Sequence, residues 1–273
     1  MRVTLFKKIL VWIFVAIVLA IVYLPIVVLI AYAFFRTKGA PGSFSFEAFS
    51  SLFGDKVLLN AVLNTFILAI SASAIAAVLG AFTAIGLFNM RKFGRRAISA
   101  ANQIPVVNTD IVTAFGFALL VVFLRTAVGI NFIAGWPMLI IAHVMITTPF
   151  VILTVLPRLR QLNPNVYEAA LDLGARPWTA TVKVLLPQLT GAMIAGFALA
   201  FTLSLDDFVV TYFNNDGGSI NTISTLLYSR LSHKNPIDTF NALSTVLFIV
   251  ILAVLFAVNI WSAKKKKREK KAV

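Results

Sequence analysis

The stretch Tyr167–Pro187, YEAALDLGARPWTATVKVLLP, lies between two apolar runs that are each long enough to cross a bilayer, and its reading decides the fold. Asn163 can cap a helix that has Pro164 at its first position, and Gly174 can stop that helix about three turns later. Pro177 then restarts a second short helix. The stretch is therefore expected to form helix, turn and helix at a membrane surface. Ala169 and Ala170 leave a shallow face on the first helix that another protein can approach closely.

Composition supports a membrane setting. Of the 273 residues, 60% are hydrophobic and 12% charged, with a mean hydropathy of +0.93. Soluble domains carry about 25% charged residues, so the chain is expected to be an all-α integral membrane protein. A net charge of +14 would suggest nucleic acid in a soluble protein. Here the basic residues gather between apolar runs and in the tail, so no nucleic-acid partner is expected. The absence of cysteine removes disulfides and thiolate metal sites, and two histidines far apart give little support to a histidine metal site. No metal and no cofactor is expected.

Six transmembrane helices are predicted, at about residues 9–35, 62–88, 103–124, 135–156, 188–213 and 241–261, within one transmembrane domain, 1–273. Ala31-Tyr32-Ala33 imitates a signal-peptidase site. The apolar run before it is longer than the roughly 7–15 residues of a signal segment, so an uncleaved first helix is expected. Residues 45–53 can form a short interfacial helix with Phe46, Phe49 and Phe53 on its apolar side. Ala72, Ala76, Gly80 and Ala84 recur every four residues in the second span, and Ala192, Gly196, Ala200 and Ser204 do so in the fifth. Both stripes are read as close-packing faces. His143, near the middle of the fourth span, is read first as a buried, hydrogen-bonded histidine, with a role in the pathway as the alternative.

Charge orients the spans. With the N-terminus inside, the inner segments hold three, four, four and seven Lys and Arg residues, 18 of the 24 in the chain. The positive-inside rule thus places both termini, the loop 157–187 and the basic tail 262–273 in the cytoplasm. The tail is read as an anchor on anionic membrane lipid.

Glu168-Ala169-Ala170, Gly174, Val184, Leu186 and Pro187 reproduce the spacing of the EAA loop of bacterial ABC importer permeases, and the segment resembles that loop. Val184 stands where isoleucine is usual. The resemblance implies the MetI-like architecture of these permeases. It also implies that Glu168, Ala169, Ala170, Gly174, Leu186 and Pro187 couple the chain to a separate ATPase subunit, present in two copies. In that family the first short helix sits in a groove of the ATPase. The other implied partners are a second, homologous permease subunit and an extracytoplasmic substrate-binding protein, at the bacterial plasma (inner) membrane. Asn60 to Thr65 is similar to an Asn-Thr found at the same point in the family.

Within the family, Ser204-Leu205-Asp206-Asp207-Phe208, Tyr212-Phe213, Asp110-Ile111-Val112 and Asn241-Ala242-Leu243-Ser244-Thr245 resemble the spermidine/putrescine permeases. That resemblance implies a polyamine substrate. A carboxylate in a bilayer costs at least about 2.5–3.5 kcal/mol, so Asp110, Asp206 and Asp207 are candidates for the substrate pathway. Each can equally be satisfied by a neighbouring Ser, Thr or Asn, or lie at the interface, and both readings stay open. Adjacent helical residues diverge by about 100°, so only one of the pair Asp206 and Asp207 can point straight into a pathway.

No G-x-x-x-x-G-K-[ST], G-x-S-x-G or H-E-x-x-H motif occurs. No catalytic residues are assigned, and the chain is read as a transport subunit rather than an enzyme, with energy arriving through a partner. The alternatives are import of another small solute such as iron or thiamine, or an ion-driven carrier.

Overall fold

The computed structural model describes residues 5–35, 43–129, 134–163, 165–233 and 237–269. Pro41 and Gly42, which read as a turn in the sequence, the helix-starting Pro164, and Lys270 and Lys271 of the tail lie outside the described residues. Within them the helices are α1 (Leu5–Phe34), α2 (Glu47–Gly54), α3 (Lys56–Asn89), α4 (Lys92–Val107), α5 (Asp110–Ala127) and α6 (Trp136–Gln161). There follow α7 (Asn165–Asp172), α8 (Pro177–Ala180), α9 (Leu186–Leu205), α10 (Val209–Asn214), α11 (Ile223–Ser232) and α12 (Asp238–Glu269). No strand forms among the described residues, only an isolated antiparallel bridge between Phe35 and Phe44. Apolar runs become helices because lipid offers no hydrogen bonds, so each backbone group must be satisfied within its own segment. Among the described residues, five stretches are long and apolar enough to cross a membrane: Lys7–Phe34, Lys56–Phe88, Asp110–Ala127, Trp136–Gln161 and Pro177–Leu205. A shorter apolar stretch, Asp238–Ala253, lies in α12.

The helix bounds differ from the expected spans in three places. The run expected at 103–124 is divided, because Asn108 and Thr109 adopt extended backbone between α4 and α5. Asn and Thr favour cap positions over helix interiors, and Asn108 donates to the Thr113 hydroxyl at 3.2 Å across this joint. Asp110 therefore opens α5 instead of interrupting a span, and its charge suits the positive end of the helix dipole. The second short helix of the loop does not stop before span five. A single π-helical turn, Thr181–Leu185, carries α8 into α9. Pro187 has no N–H and would crowd the carbonyl four residues back, and the wider turn absorbs that misfit. Leu186 accordingly donates its N–H to the Thr181 carbonyl, five residues back. Finally, α9 ends at Leu205 instead of continuing to residue 213.

The chain forms two compact units. The first comprises Met1–Leu59 and Leu227–Val273. In it α1 packs on α12, and α2 packs on both, burying Leu52. Phe34 stacks on Phe44 with ring centres 5.7 Å apart and lies 4.9 Å from Phe49. Asp55 accepts the Leu58 N–H at 3.0 Å, capping α3, and its other oxygen lies 2.7 Å from Nη2 of Arg230. The same guanidinium donates to Thr239 at 3.3 Å and sits 5.3 Å from the ring centre of Phe240. Removing it with Arg230→Ala takes the guanidinium away from one oxygen of the Asp55 carboxylate and from the Thr239 hydroxyl. We expect a loss of about 1.5–3 kcal/mol, measured by thermal unfolding of the purified protein. Arg230→Lys should recover only part of this, since an ammonium lacks the planar fork.

The second unit is Asn60–Leu226. Its core joins Ala76, Ala84, Ile85 and Leu87 of α3 to Val151, Ile152, Val155, Leu156 and Leu159 of α6 and to Leu189 and Ala200 of α9. The small-residue stripes seat these helices. Ala72, Ala76, Gly80 and Ala84 are buried on α3, as are Gly196, Ala200 and Ser204 on α9, with Ala192 partly so. Gly80 and Gly196 meet the same side chain. A Cβ at Gly80 would fall 2.6 Å from Cγ1 of Val151, and one at Gly196 would fall 3.0 Å from it. Backbone-to-side-chain approach this close is what small residues in membrane helices permit.

Candidate functional site: an exposed helix and a break in the fifth span

The first part of the site is the helix α7. Asn163 starts it, accepting the N–H of Asn165 on Oδ1 at 3.0 Å. Gly174 ends it with φ +85°. There the Gly174 N–H donates to Leu171 O at 2.9 Å and the Ala175 N–H to Ala170 O at 3.0 Å. This nested pair satisfies the carbonyls that a helix end leaves open and requires a left-handed residue between them. Glycine adopts that conformation without a Cβ penalty.

Tyr167 of α7 packs on the hydrophobic core of the second unit, which fixes how the helix rolls. Glu168 and Ala169 are then left exposed and Ala170 half-buried. Leu173 is 90% exposed and Trp178 66% exposed, although the Trp178 ring lies parallel to Phe82 at 5.6 Å. Leu186 and Pro187, the far end of the same motif, are not part of this surface. They begin α9, with Leu186 packed on the core and Pro187 beside the π-helical turn. The motif thus contains an exposed face and a joint that connects it to a span.

The second part is the break between α9 and α10, at residues 206–208. Asp206 and Asp207 are adjacent but differ in surroundings. Asp206 is exposed. Asp207 has its side chain only 7% exposed. Its Oδ1 accepts the Val210 N–H at 3.2 Å, and its Oδ2 accepts the Thr211 N–H at 2.9 Å and the Thr211 hydroxyl at 3.0 Å. This carboxylate therefore caps α10, at the end where a negative charge is favoured. Asp110, at the start of α5, is exposed.

Beneath the break lies His143 of α6, fully buried and hydrogen-bonded, as expected for a histidine in a span. Its Nδ1 is 2.7 Å from Oγ of Ser204 and its Nε2 is 3.0 Å from Oγ1 of Thr211. The carbonyl of Asp207 accepts from the Ser224 hydroxyl at 2.7 Å, which ties the break to α11. The start of α11 is held in turn by α3. Thr65 accepts the Ile223 N–H at 2.9 Å, and Asn64 donates to Asn221 O at 3.0 Å.

This gives Asn64 and Thr65 a physical task that their Asn-Thr resemblance did not supply. Thr211, Ser224 and Asn214 were not singled out from the sequence. Asn214 is buried and donates to Ala114 O at 3.2 Å, linking α10 to α5. The only local signal for them was polar residues in an apolar run, and that signal does not say which helix each one meets. Around the break the rings of Phe208 and Tyr212 lie 5.3 Å apart, those of Tyr212 and Phe213 5.7 Å, and those of Phe115 and Phe213 6.0 Å.

Among the described residues the chain is helical, with an exposed short helix between two spans and a broken span beside buried polar groups. The model of the family "binding-protein-dependent transport system inner membrane component" matches residues 76–266, and the chain belongs to that family. It is thus a multi-pass inner-membrane permease. It is 32% identical over 244 residues to the spermidine/putrescine transport system permease protein PotC of Haemophilus influenzae, covering 89% of this chain and 92% of that one. It is 31% identical to PotC of Escherichia coli K12, covering 93% and 94%. It is 32% identical to the putrescine transport system permease protein PotI of the same organism, covering 90% and 88%. Among solved structures it resembles a chain of a bacterial ABC transporter involved in import of the acidic polysaccharide alginate. The TM-score is 0.66 at 20% identity, over 94% of this chain and 97% of that one. At that identity the likeness concerns the fold alone.

Proposed function

We propose that the chain forms half of the translocation pathway of an ATP-driven importer of polyamines, spermidine or putrescine, within a single transmembrane domain, 1–273. The second half is a homologous permease subunit, an extracytoplasmic binding protein delivers the substrate, and two copies of a separate ATPase subunit hydrolyse ATP. Both termini and the loop holding α7 face the cytoplasm, a reading supported by the 18 of 24 basic residues on that side. The coupling residues are Glu168, Ala169, Ala170 and Gly174 on the exposed helix, with Leu186 and Pro187 at the joint to α9. ATP binding would draw the ATPases together and carry α7 with them, switching the pathway between inward-open and outward-open arrangements. Asp110, Asp206 and Asp207 are the pathway candidates, and acidic groups suit a polycation.

The observation that carries the coupling is the exposed face of α7 beside a 90% exposed Leu173. A short helix exposed between two spans can lie in a groove of a partner. The substrate rests on the PotC and PotI relatives together with the exposed Asp206 at the break. Radiolabelled spermidine and putrescine uptake should be measured in a strain lacking other polyamine importers, with and without this gene, and again with vanadate. Uptake that needs the gene and stops with vanadate is the expected result. Gene-independent uptake would refute the substrate assignment. Co-purification without any ATPase would instead favour an ion-driven carrier.

A further inference from the structure

We infer that His143 is a positioning residue for transport: through Thr211 it holds Asp207 as the cap of α10, so that Asp206 alone of the adjacent aspartates is presented to a cationic substrate. The inference rests on the importer reading above and divides the work of two of its three acidic candidates.

The hydrogen-bond chain has one consistent direction. A carboxylate only accepts, so the single hydroxyl proton of Thr211 goes to Asp207 Oδ2, 3.0 Å away. Oγ1 of Thr211 must then accept from His143, which places the proton on Nε2, 3.0 Å away. Nδ1 is left bare and accepts from the Ser204 hydroxyl at 2.7 Å. The neighbours thus fix the tautomer of the neutral ring. The result is an ordered run, Ser204 to His143 to Thr211 to Asp207, that joins α9, α6 and α10 across the break.

Every acceptor on Asp207 is engaged. Its two carboxylate oxygens take the Val210 N–H, the Thr211 N–H and the Thr211 hydroxyl, and its carbonyl takes Ser224. Asp206 is exposed, and its carboxylate makes no hydrogen bond or ion pair among the described residues. Asp207 is therefore committed to the backbone of α10, whereas Asp206 keeps its acceptors for a ligand ammonium. What keeps Asp206 turned outward is the backbone angle at residues 206–208, and that angle is set by the cap. His143 determines the cap because it holds the hydroxyl that completes it. The ring can do this only by using both nitrogens at once, accepting from one helix and donating to another.

The test uses the full chain in its complex. Amide hydrogen exchange is followed at Val210 and Thr211, and spermidine uptake per membrane-inserted molecule is measured in parallel. His143→Leu and the near-isosteric Thr211→Val should each speed exchange at these amides at least about tenfold, whereas Thr211→Ser, which keeps the hydroxyl, should stay close to the natural protein. Both damaging variants should lower uptake per molecule, and neither should lower it further when combined with Asp206→Asn, because they act through that carboxylate. Unchanged exchange in both variants overturns the inference and leaves the importer reading intact. Faster exchange with losses that multiply those of Asp206→Asn also overturns it, making His143 a packing residue only. If His143→Leu fails to insert, Thr211→Val carries the same prediction alone. If the natural chain takes up no polyamine, the importer reading fails and the substrate clause falls with it, while exchange still decides the cap.

Discussion

Replacing Gly174 with arginine is expected to reduce uptake at least about tenfold while leaving the chain in the membrane at natural abundance. The residue has φ +85°, and no atom lies within 4 Å of where a Cβ would project. The substitution therefore meets no steric wall. Its folding cost is the left-handed conformation alone, about 1–2 kcal/mol on an exposed turn. That is too little to remove a membrane protein of this size. It does act on the direction in which the chain leaves α7, because the Gly174 and Ala175 N–H groups close the helix onto Leu171 and Ala170. A bulky cation there also alters the exposed face that carries Glu168 and Ala169. Gly174→Asn, which tolerates the left-handed region, should retain most of the uptake. Quantitative immunoblotting of membranes beside uptake separates the two effects, and natural uptake by the arginine variant would refute the coupling assignment.

Gly80→Leu should have the opposite profile, with the protein itself disappearing. Even the first added carbon would lie 2.6 Å from Val151 Cγ1 in a fully buried part of the core, so α3 and α6 must separate or Val151 must leave its rotamer. Gly80→Ala alone should cost about 1–3 kcal/mol, typical of overpacking, and the leucine variant more. Val151→Ala should partly restore Gly80→Ala, because it removes the methyl groups that are struck. Thermal unfolding of the purified variants reads the effect. A double variant no more stable than Gly80→Ala would show that the contact does not limit packing. Gly196, whose Cβ would come 3.0 Å from the same methyl, should be the more tolerant of the two glycines.

Much of this was legible before any coordinates. The helix from Asn163 to Gly174 could be read from cap chemistry, because a side-chain acceptor before a helix and a glycine after it act within a few residues. The small-residue stripes were legible for the same reason, since four-residue spacing places them on one face. Other features escaped local reading. The joint at Pro187 looked like the start of a span, because the sequence does not indicate that a π-helical turn will carry the helix through it. Asp110 looked like a charge inside a span, because the break at Asn108 and Thr109 is a choice between a cap and continued helix that short-range preferences leave close.

The sequence by itself determined the class of molecule, the apolar spans in outline, and the exposed helix with its stop. These follow from composition, period and spacing, which are sums over neighbours in the chain. Only the tertiary structure decided which aspartate is committed to a cap and which is exposed, and that one buried histidine holds the break. Those answers depend on contacts spanning 61 residues, from His143 to Ser204, and 68, from His143 to Thr211. Partners so far apart meet only because α6, α9 and α10 pack together, and hydrogen bonding within about 3 Å is too short-ranged to be specified until that packing exists.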